Sequence, residues 1–122
     1  MDYILIVQDC QNIADLAIRV LQRHGYLAYA VANSAEALDI LQESERLPRL
    51  VLLDLCTPIM DGVAFRQCQR RDARLATIPI IAFSSYSNIL AYGAHGLFDG
   101  YLPLPCTKDE IVQAVAQLYP LS

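Results

Sequence analysis

Two aspartates stand where short apolar runs end. Tyr3-Ile-Leu-Ile-Val7 is followed by Gln8-Asp9, and Leu50-Val-Leu-Leu53 by Asp54. Two carboxylates brought to one point repel unless a cation offsets them. A hard divalent cation with oxygen ligands and retained waters is the usual partner, and Mg²⁺ fits best. The plainer reading is that each Asp ends its strand and caps the turn that follows. A hydroxyl, Ser84, follows Ile80-Ile-Ala-Phe83 in the same manner, and Leu104-Pro105 lies just past Gly100-Tyr-Leu102. Cys10, Cys56 and Cys106 occupy similar places, with Cys68 apart from them. A redox or soft-metal centre is one reading of these thiols. No pair has CxxC spacing and no His accompanies them, so small buried thiols filling space are the favoured reading.

Whether these groups meet depends on the elements that carry them. Tyr3–Val7 is continuously apolar and reads as a buried strand. Ile13, Leu16, Ala17, Val20 and Leu21 follow helical spacing, and Gly25 ends that helix, with His24 at its end. Leu27 to Ala32 is a weaker second strand. Asn33 and Glu36 form a capping box ahead of a helix whose apolar face is Ala37, Leu38 and Leu41. Leu50 to Leu53 is the third strand. Asp61-Gly62 turns into a helix reaching Arg71, whose basic end suits a C-terminus. Ile80 to Phe83 is the fourth strand, Asn88 to Ala94 a short helix, and Gly100 to Leu102 a brief fifth strand. Thr107-Lys-Asp-Glu110 caps a last helix faced by Ile111, Val115 and Leu118. Arg66, Arg70, Arg71 and Arg74 read as a solvated helix face, and His95 as a loop residue.

Five βα units with unalternating strands imply a parallel sheet with helices on both faces. The expected fold is a single α/β doubly wound, flavodoxin-like domain over residues 1–122, with strand order 2-1-3-4-5. In that order the first and third strands are neighbours, so Asp9 and Asp54 face one another at the ligand-binding edge.

Composition narrows the function. The chain has 122 residues, 55% hydrophobic and 18% charged, which excludes a disordered chain. Its net charge of −4 argues against nucleic acid or an anionic membrane as partner. No apolar run approaches the roughly 18 residues of a membrane span. Met1 to Val7 has no basic n-region, so a cytoplasmic location is expected.

Leu53-Asp54-Leu-Cys-Thr-Pro58-Ile-Met60-Asp61-Gly62 resembles the signature loop of response-regulator receiver domains. Val7-Gln8-Asp9, Pro79-Ile-Ile-Ala-Phe-Ser84-Ser85-Tyr86 and Asp99-Gly-Tyr101-Leu-Pro-Leu104-Pro105 extend the resemblance over essentially the whole chain. It implies that Asp54 accepts a phosphoryl group from a histidine kinase or phosphotransfer protein. It implies Mg²⁺ held by Asp9, Asp54 and the backbone carbonyl of Cys56, with Gln8 as a further contact, direct or through water. Ser84 would hydrogen-bond the phosphoryl group and Tyr101 would be the aromatic that changes rotamer. The Leu104-Pro105 bond would be cis. A downstream protein would bind the face built from the fourth helix, fifth strand and last helix.

Two departures bear on this. The family usually carries two acidic residues after the first strand, and here the first is Gln8. It usually carries a Lys where this chain has Leu104, and losing that charge-assisted contact costs about 1.5–3 kcal/mol. The stretch from Ser84 to Leu104 also looks short for the family, so the helix within it is expected to be short or distorted. The alternative function is therefore a pseudo-receiver that recognises a partner without phosphorylation. Turnover of an external substrate is not expected. An aspartate-nucleophile phosphatase would need an Asp where Cys56 stands, no phosphate-binding glycine motif is present, and Gln8 to Asn12 is not a flavin phosphate loop.

Overall fold

Ile4, Leu5, Ile6 and Val7 are each at most 3% exposed, which happens only when both faces of a strand are covered. The structure, a computed structural model, describes residues 2–92 and 96–121. Its elements alternate: β1 (Ile4–Val7), α1 (Gln11–Arg23), β2 (Ala28–Val31), α2 (Ser34–Glu43), β3 (Leu50–Leu53), α3 (Gly62–Arg71), β4 (Ile80–Ser85), α4 (Tyr86–Ala91), β5 (Gly100–Leu104) and α5 (Lys108–Leu118). The strands form one parallel sheet in the order β2-β1-β3-β4-β5, as the sequence predicts. Leu5, Val7, Val51 and Leu53 pack on the side of α2 and α3, and Ile4, Ile6, Leu50 and Leu52 on the side of α1 and α5. Strict alternation between two apolar layers is why β1 and β3 carry no polar positions. Among the described residues, no helix is long and apolar enough to cross a membrane.

The boundaries differ from expectation where local bonding decides them. Tyr3 lies outside β1, its hydroxyl donating to Arg46 O at 3.0 Å. β4 and β5 run on because Ser84 and Ser85 pair with Pro103 and Leu104. Pro103 is tolerated there because β5 is an edge strand. The short helix begins earlier than Asn88, at Tyr86, because the Ser85 hydroxyl caps Asn88 N–H at 3.2 Å. It is short, as expected, and ends at Ala91; Gly93, Ala94 and His95 lie outside the described residues. The Thr107–Glu110 capping box forms as read, and His24 caps the end of α1.

The arginine cluster departs most. Arg66 is 4% exposed, not solvated. Its guanidinium donates to Leu97 O at 3.0 Å, Gln69 Oε1 at 2.9 Å and Asp99 Oδ2 at 3.2 Å, and lies over the Phe98 ring. Asp99 Oδ2 also accepts Ile80 N–H at 2.8 Å. Helical spacing could not reveal this, because Leu97 and Asp99 lie about thirty residues downstream. Arg74 donates to Leu41 O and Arg70 to Leu97 O, so these too are engaged.

A second polar knot holds the loop after β3. The Thr57 hydroxyl donates to Met60 O at 2.8 Å, accepts Ser34 N–H at 3.3 Å and lies 3.2 Å from the Ser34 hydroxyl. With the Thr57 proton committed to Met60, the Ser34 hydroxyl must be the donor of that last pair. Gly62 closes the loop: its N–H donates to Leu55 O at 2.9 Å, and a Cβ would meet Leu55 Cα at 2.9 Å. Ile59 sits at φ 78° in the turn, a conformation β-branched residues avoid. The bonds on either side hold it there.

Two stability outcomes follow. Arg66→Met, which leaves Asp99 and Gln69 without their partner, lowers unfolding free energy by about 3 kcal/mol, while Arg70→Met changes it by roughly 0.5 kcal/mol or less. Thr57→Val costs about 1–3 kcal/mol because Ser34 N–H and Met60 O lose their partner, and Thr57→Ser restores most of it. Urea denaturation of the four variants measures both.

Candidate functional site

The register of β1 and β3 builds the site. Val7 pairs with Leu53, so the residues just beyond, Gln8 and Asp54, emerge side by side at the carboxyl edge of the sheet. Asp54 N–H donates to Val7 O at 2.8 Å, locking that neighbour relation. β4 completes the edge by bringing Ser84 alongside.

Asp54 is 7% exposed. Its Oδ1 accepts the Ser84 hydroxyl at 2.7 Å and Cys56 N–H at 3.2 Å. Asn88 Nδ2 in turn donates to Ser84 Oγ at 3.3 Å, so the first turn of α4 orients that hydroxyl. Among the described residues, no N–H or hydroxyl donor reaches Asp54 Oδ2, and the Asp9 carboxyl shares a hydrogen bond with Asp54 when one of the two is protonated. Burial pushes the Asp54 carboxyl above its ordinary value, the bonds from Ser84 and Cys56 N–H oppose this, and the like charge of Asp9 adds to it.

That arrangement suits a hard cation. It offers the Asp54 Oδ2 edge, the exposed Asp9 carboxylate, and the Cys56 carbonyl oxygen, on which no hydrogen bond among the described residues ends. All are oxygen donors, the set Mg²⁺ takes, with waters completing six positions. Among the described residues, no group of three or more His, Cys, Asp or Glu side chains is gathered for a metal. A soft-metal centre on Cys10, Cys56 and Cys106 is therefore not assembled, and all four cysteines are free thiols. Cys10 and Cys56 are exposed, so they do not fill space as expected. Burial raises the Cys106 thiol pKa, which lowers its reactivity.

The other predicted residues fall as follows. Gln8 is 5% exposed, and its Oε1 accepts Cys10 N–H at 3.1 Å. Tyr101 is half-buried on the α2/α3 side; its hydroxyl accepts Phe98 N–H at 3.3 Å and its ring meets Phe98 edge-on at 6.2 Å. The Leu104-Pro105 bond is cis. Leu104 lies on the opposite layer, lining an apolar cavity of about 330 Å³ with Ile13, Leu16, Phe83 and Ile111. Sequence reasoning missed Asn88, Thr57 and Ser34, and also Tyr92. The Tyr92 hydroxyl has its pKa raised, chiefly by the Cys56 thiol and further by burial and by Asp61 and Asp54. Only Asn88 left a signal, at four residues past Ser84 on a helix start.

Comparison with known proteins agrees with this geometry. Residues 4–116 match the family described as the response regulator receiver domain. The chain is 33% identical over 119 residues to sporulation initiation phosphotransferase F of Bacillus subtilis, covering 97% of this chain and 94% of that one. It is 30% identical to the DNA-binding dual master transcriptional regulator RpaA of Synechocystis, covering 97% of this chain and 49% of that one. The bacteriophytochrome response regulator RtBRR superposes with a TM-score of 0.82 at 25% identity, covering 100% of this chain and 80% of that one. The chemotaxis protein CheY4 of Vibrio cholerae shares the fold, with a TM-score of 0.78 at 23% identity over 97% of this chain and 98% of that one. A buried carboxylate between a second Asp and a Ser hydroxyl, on a 2-1-3-4-5 sheet matched end to end, thus has one family to which it belongs: the chain is a receiver domain of two-component response regulators.

Proposed function

We propose that this receiver is phosphorylated on Asp54 in the presence of Mg²⁺ and signals by protein–protein contact. The observation that carries the reading is the division of labour on Asp54: Oδ1 is held by Ser84 and Cys56 N–H, and Oδ2 is left open. Fixing one oxygen orients the other for in-line attack. The donor is a phosphohistidine on a histidine kinase or a phosphotransfer protein. As the Oδ2–P bond forms, the N–P bond breaks and its electron pair stays on the imidazole. Asp9, Asp54 and the Cys56 carbonyl would hold Mg²⁺, which supplies positive charge against the oxygens of the transferring group.

Ser84 is already engaged with Asp54, so a phosphoryl group there draws on the same hydroxyl. That would pull the β4–α4 junction and, through Asn88, the start of α4. Tyr101 is the aromatic expected to respond, by giving up its bond to Phe98 N–H. α4 exposes Tyr86 at 62% and Leu90 at 50%, one turn apart, which suits an apolar partner surface on the α4, β5 and α5 face. The likeness to a relative named as a phosphotransferase supports a role in phosphoryl relay.

One observation favours a second reading, a partner-binding module independent of phosphorylation. Leu104 lines the cavity beside α1 and α5 and offers no donor where the family usually has Lys.

Intact-protein mass spectrometry after incubation with Mg²⁺ and a small phosphodonor separates the two. A single phosphoryl mass gain in the wild type, absent from Asp54→Asn, is expected; no gain at any donor concentration overturns the first reading. The pKa shift gives a further test. The folded Asp54 holds its proton more tightly than the unfolded chain does. Metal-free stability therefore falls as pH rises from the ordinary aspartate value of 3.8 through the raised one. Asp54→Asn removes that slope and raises metal-free stability at neutral pH. Mg²⁺ competes with the proton, so its apparent affinity rises across the same window. Thermal denaturation of both proteins, with and without Mg²⁺ over the acid range, reads each effect.

A further inference from the structure

Gln8 follows β1 directly, and the pairing of Val7 with Leu53 sets it beside Asp54. Its side chain is nearly buried, at 5% exposure. The amide is not free to turn over: Oε1 accepts the Cys10 N–H at 3.1 Å, and a backbone donor admits only the oxygen at that place. The other end of the amide is therefore Nε2, a donor. Among the described residues it has no acceptor. Among the described residues, no buried side-chain nitrogen or oxygen lacks a partner, so the little surface that Gln8 keeps includes this nitrogen. A nearly buried side chain with a fixed orientation thus opens an unused N–H₂ to solvent at the carboxyl edge of the sheet.

The charges around it define what could bind. The edge carries Asp9 and Asp54. The single lysine of the chain, Lys108, begins α5, and Arg66 is committed to Asp99. Leu104 offers no donor. An amide nitrogen does not ligate a divalent cation, and one of the two lone pairs of the Gln8 oxygen already serves a backbone N–H. A donor beside a carboxylate that has one oxygen open fits an oxyanion built on that carboxylate.

We propose that Gln8 is an oxyanion ligand, donating from Nε2 to an oxygen of the phosphoryl group on Asp54. It supplies, as a neutral hydrogen bond from β1, a contact that this chain lacks from β5. The inference rests on phosphorylation at Asp54 and assigns Gln8 to the anion rather than to the metal.

The test uses beryllofluoride as the phosphoryl mimic, with the whole chain and saturating Mg²⁺, followed by ¹⁹F NMR. Gln8→Glu keeps an acceptor for Cys10 N–H, removes the donor and adds a carboxylate. It is expected to bind Mg²⁺ severalfold more tightly and beryllofluoride about tenfold more weakly, the loss of one hydrogen bond to a charged group. The added carboxylate by itself attracts Mg²⁺ and repels the mimic, so the neutral Gln8→Leu is the variant that isolates the lost donor. Gln8→Leu is expected to weaken beryllofluoride similarly while leaving Mg²⁺ affinity within about twofold. In the wild type, the Gln8 side-chain amide protons should shift downfield when the mimic is added, a readout that needs no variant. Undiminished beryllofluoride binding by Gln8→Glu, or an unmoved Gln8 amide in the wild type, overturns the proposal. Parallel loss of Mg²⁺ and mimic in Gln8→Leu also overturns it and makes Gln8 a metal contact. A wild type that binds Mg²⁺ but takes up no beryllofluoride instead removes the phosphorylation reading beneath it.

Discussion

The Asp54 carboxylate is buried beside a like charge and, among the described residues, accepts N–H and hydroxyl donors on one oxygen only. Left alone, such a group destabilises the fold that holds it, because burial disfavours its charged form and Asp9 adds repulsion. The rest of the edge is arranged around that tension. The β1–β3 register puts Asp54 beside Gln8, β4 supplies the Ser84 hydroxyl, and the following loop supplies Cys56 N–H. A carboxylate held this way is a site in search of positive charge or of an acceptor for its open oxygen. That makes binding and stability two aspects of one electrostatic fact.

Holding the tension requires rigidity nearby, and two polar knots provide it on opposite flanks. Thr57 and Ser34 tie the loop after β3 to the start of α2, keeping the Cys56 backbone in place against a turn strained at Ile59. On the other flank, Arg66 holds Leu97 O and Asp99, the neighbours of Phe98, whose N–H meets the Tyr101 hydroxyl. Tyr101 is thereby joined to α3 through a short bonded chain, while its ring rests on the same apolar layer as Val7 and Leu53. Motion of the aromatic would have to break the weakest of these links, the 3.3 Å bond to Phe98 N–H, rather than the half-buried Arg66–Asp99 ion pair.

The sheet order, the two layers and the convergence of Asp9, Asp54 and Ser84 were legible because they depend on periodicity and on short apolar runs. Val7-Gln8-Asp9 and Leu53-Asp54 announce strand ends locally, and the parallel order then brings the ends together. Arg66 was misread for the converse reason. Its i, i+4 spacing with Arg70 looks like a solvated face, and only the folded chain shows Asp99 arriving from beyond β4. Ser34 and Thr57 escaped notice similarly, as two ordinary hydroxyl residues far apart in sequence. Cys10 and Cys56 were taken as space-filling thiols, yet loops that reach solvent past the strand ends expose whatever they carry. Local pattern reveals which face a residue takes, whereas polar partners separated in sequence become visible only through topology.

The two departures from the family pattern bear on each other through charge. Replacing one carboxylate by Gln8 and the lysine by Leu104 removes one charge of each sign, so the edge keeps the same formal balance while losing one anionic contact for a cation. What changes is the geometry of donation. A lysine on β5 would reach across the edge as a mobile point charge, whereas a glutamine on β1 is a short, oriented dipole fixed by Cys10 N–H. The cationic contact is worth more than the neutral one, so an anion on Asp54 would be held less firmly here than in a lysine-bearing site. It would also be held by the strand beside Asp54 rather than by β5. Leu104 meanwhile joins Ile13, Leu16 and Ile111 in an apolar layer that gains from being covered. On the proposed function, the substitutions would replace a charged link with β5 by apolar packing on the α1 and α5 side. Under that proposed function, occupancy of Asp54 would be read by Ser84 and Asn88 at the start of α4, with β5 following through Tyr101.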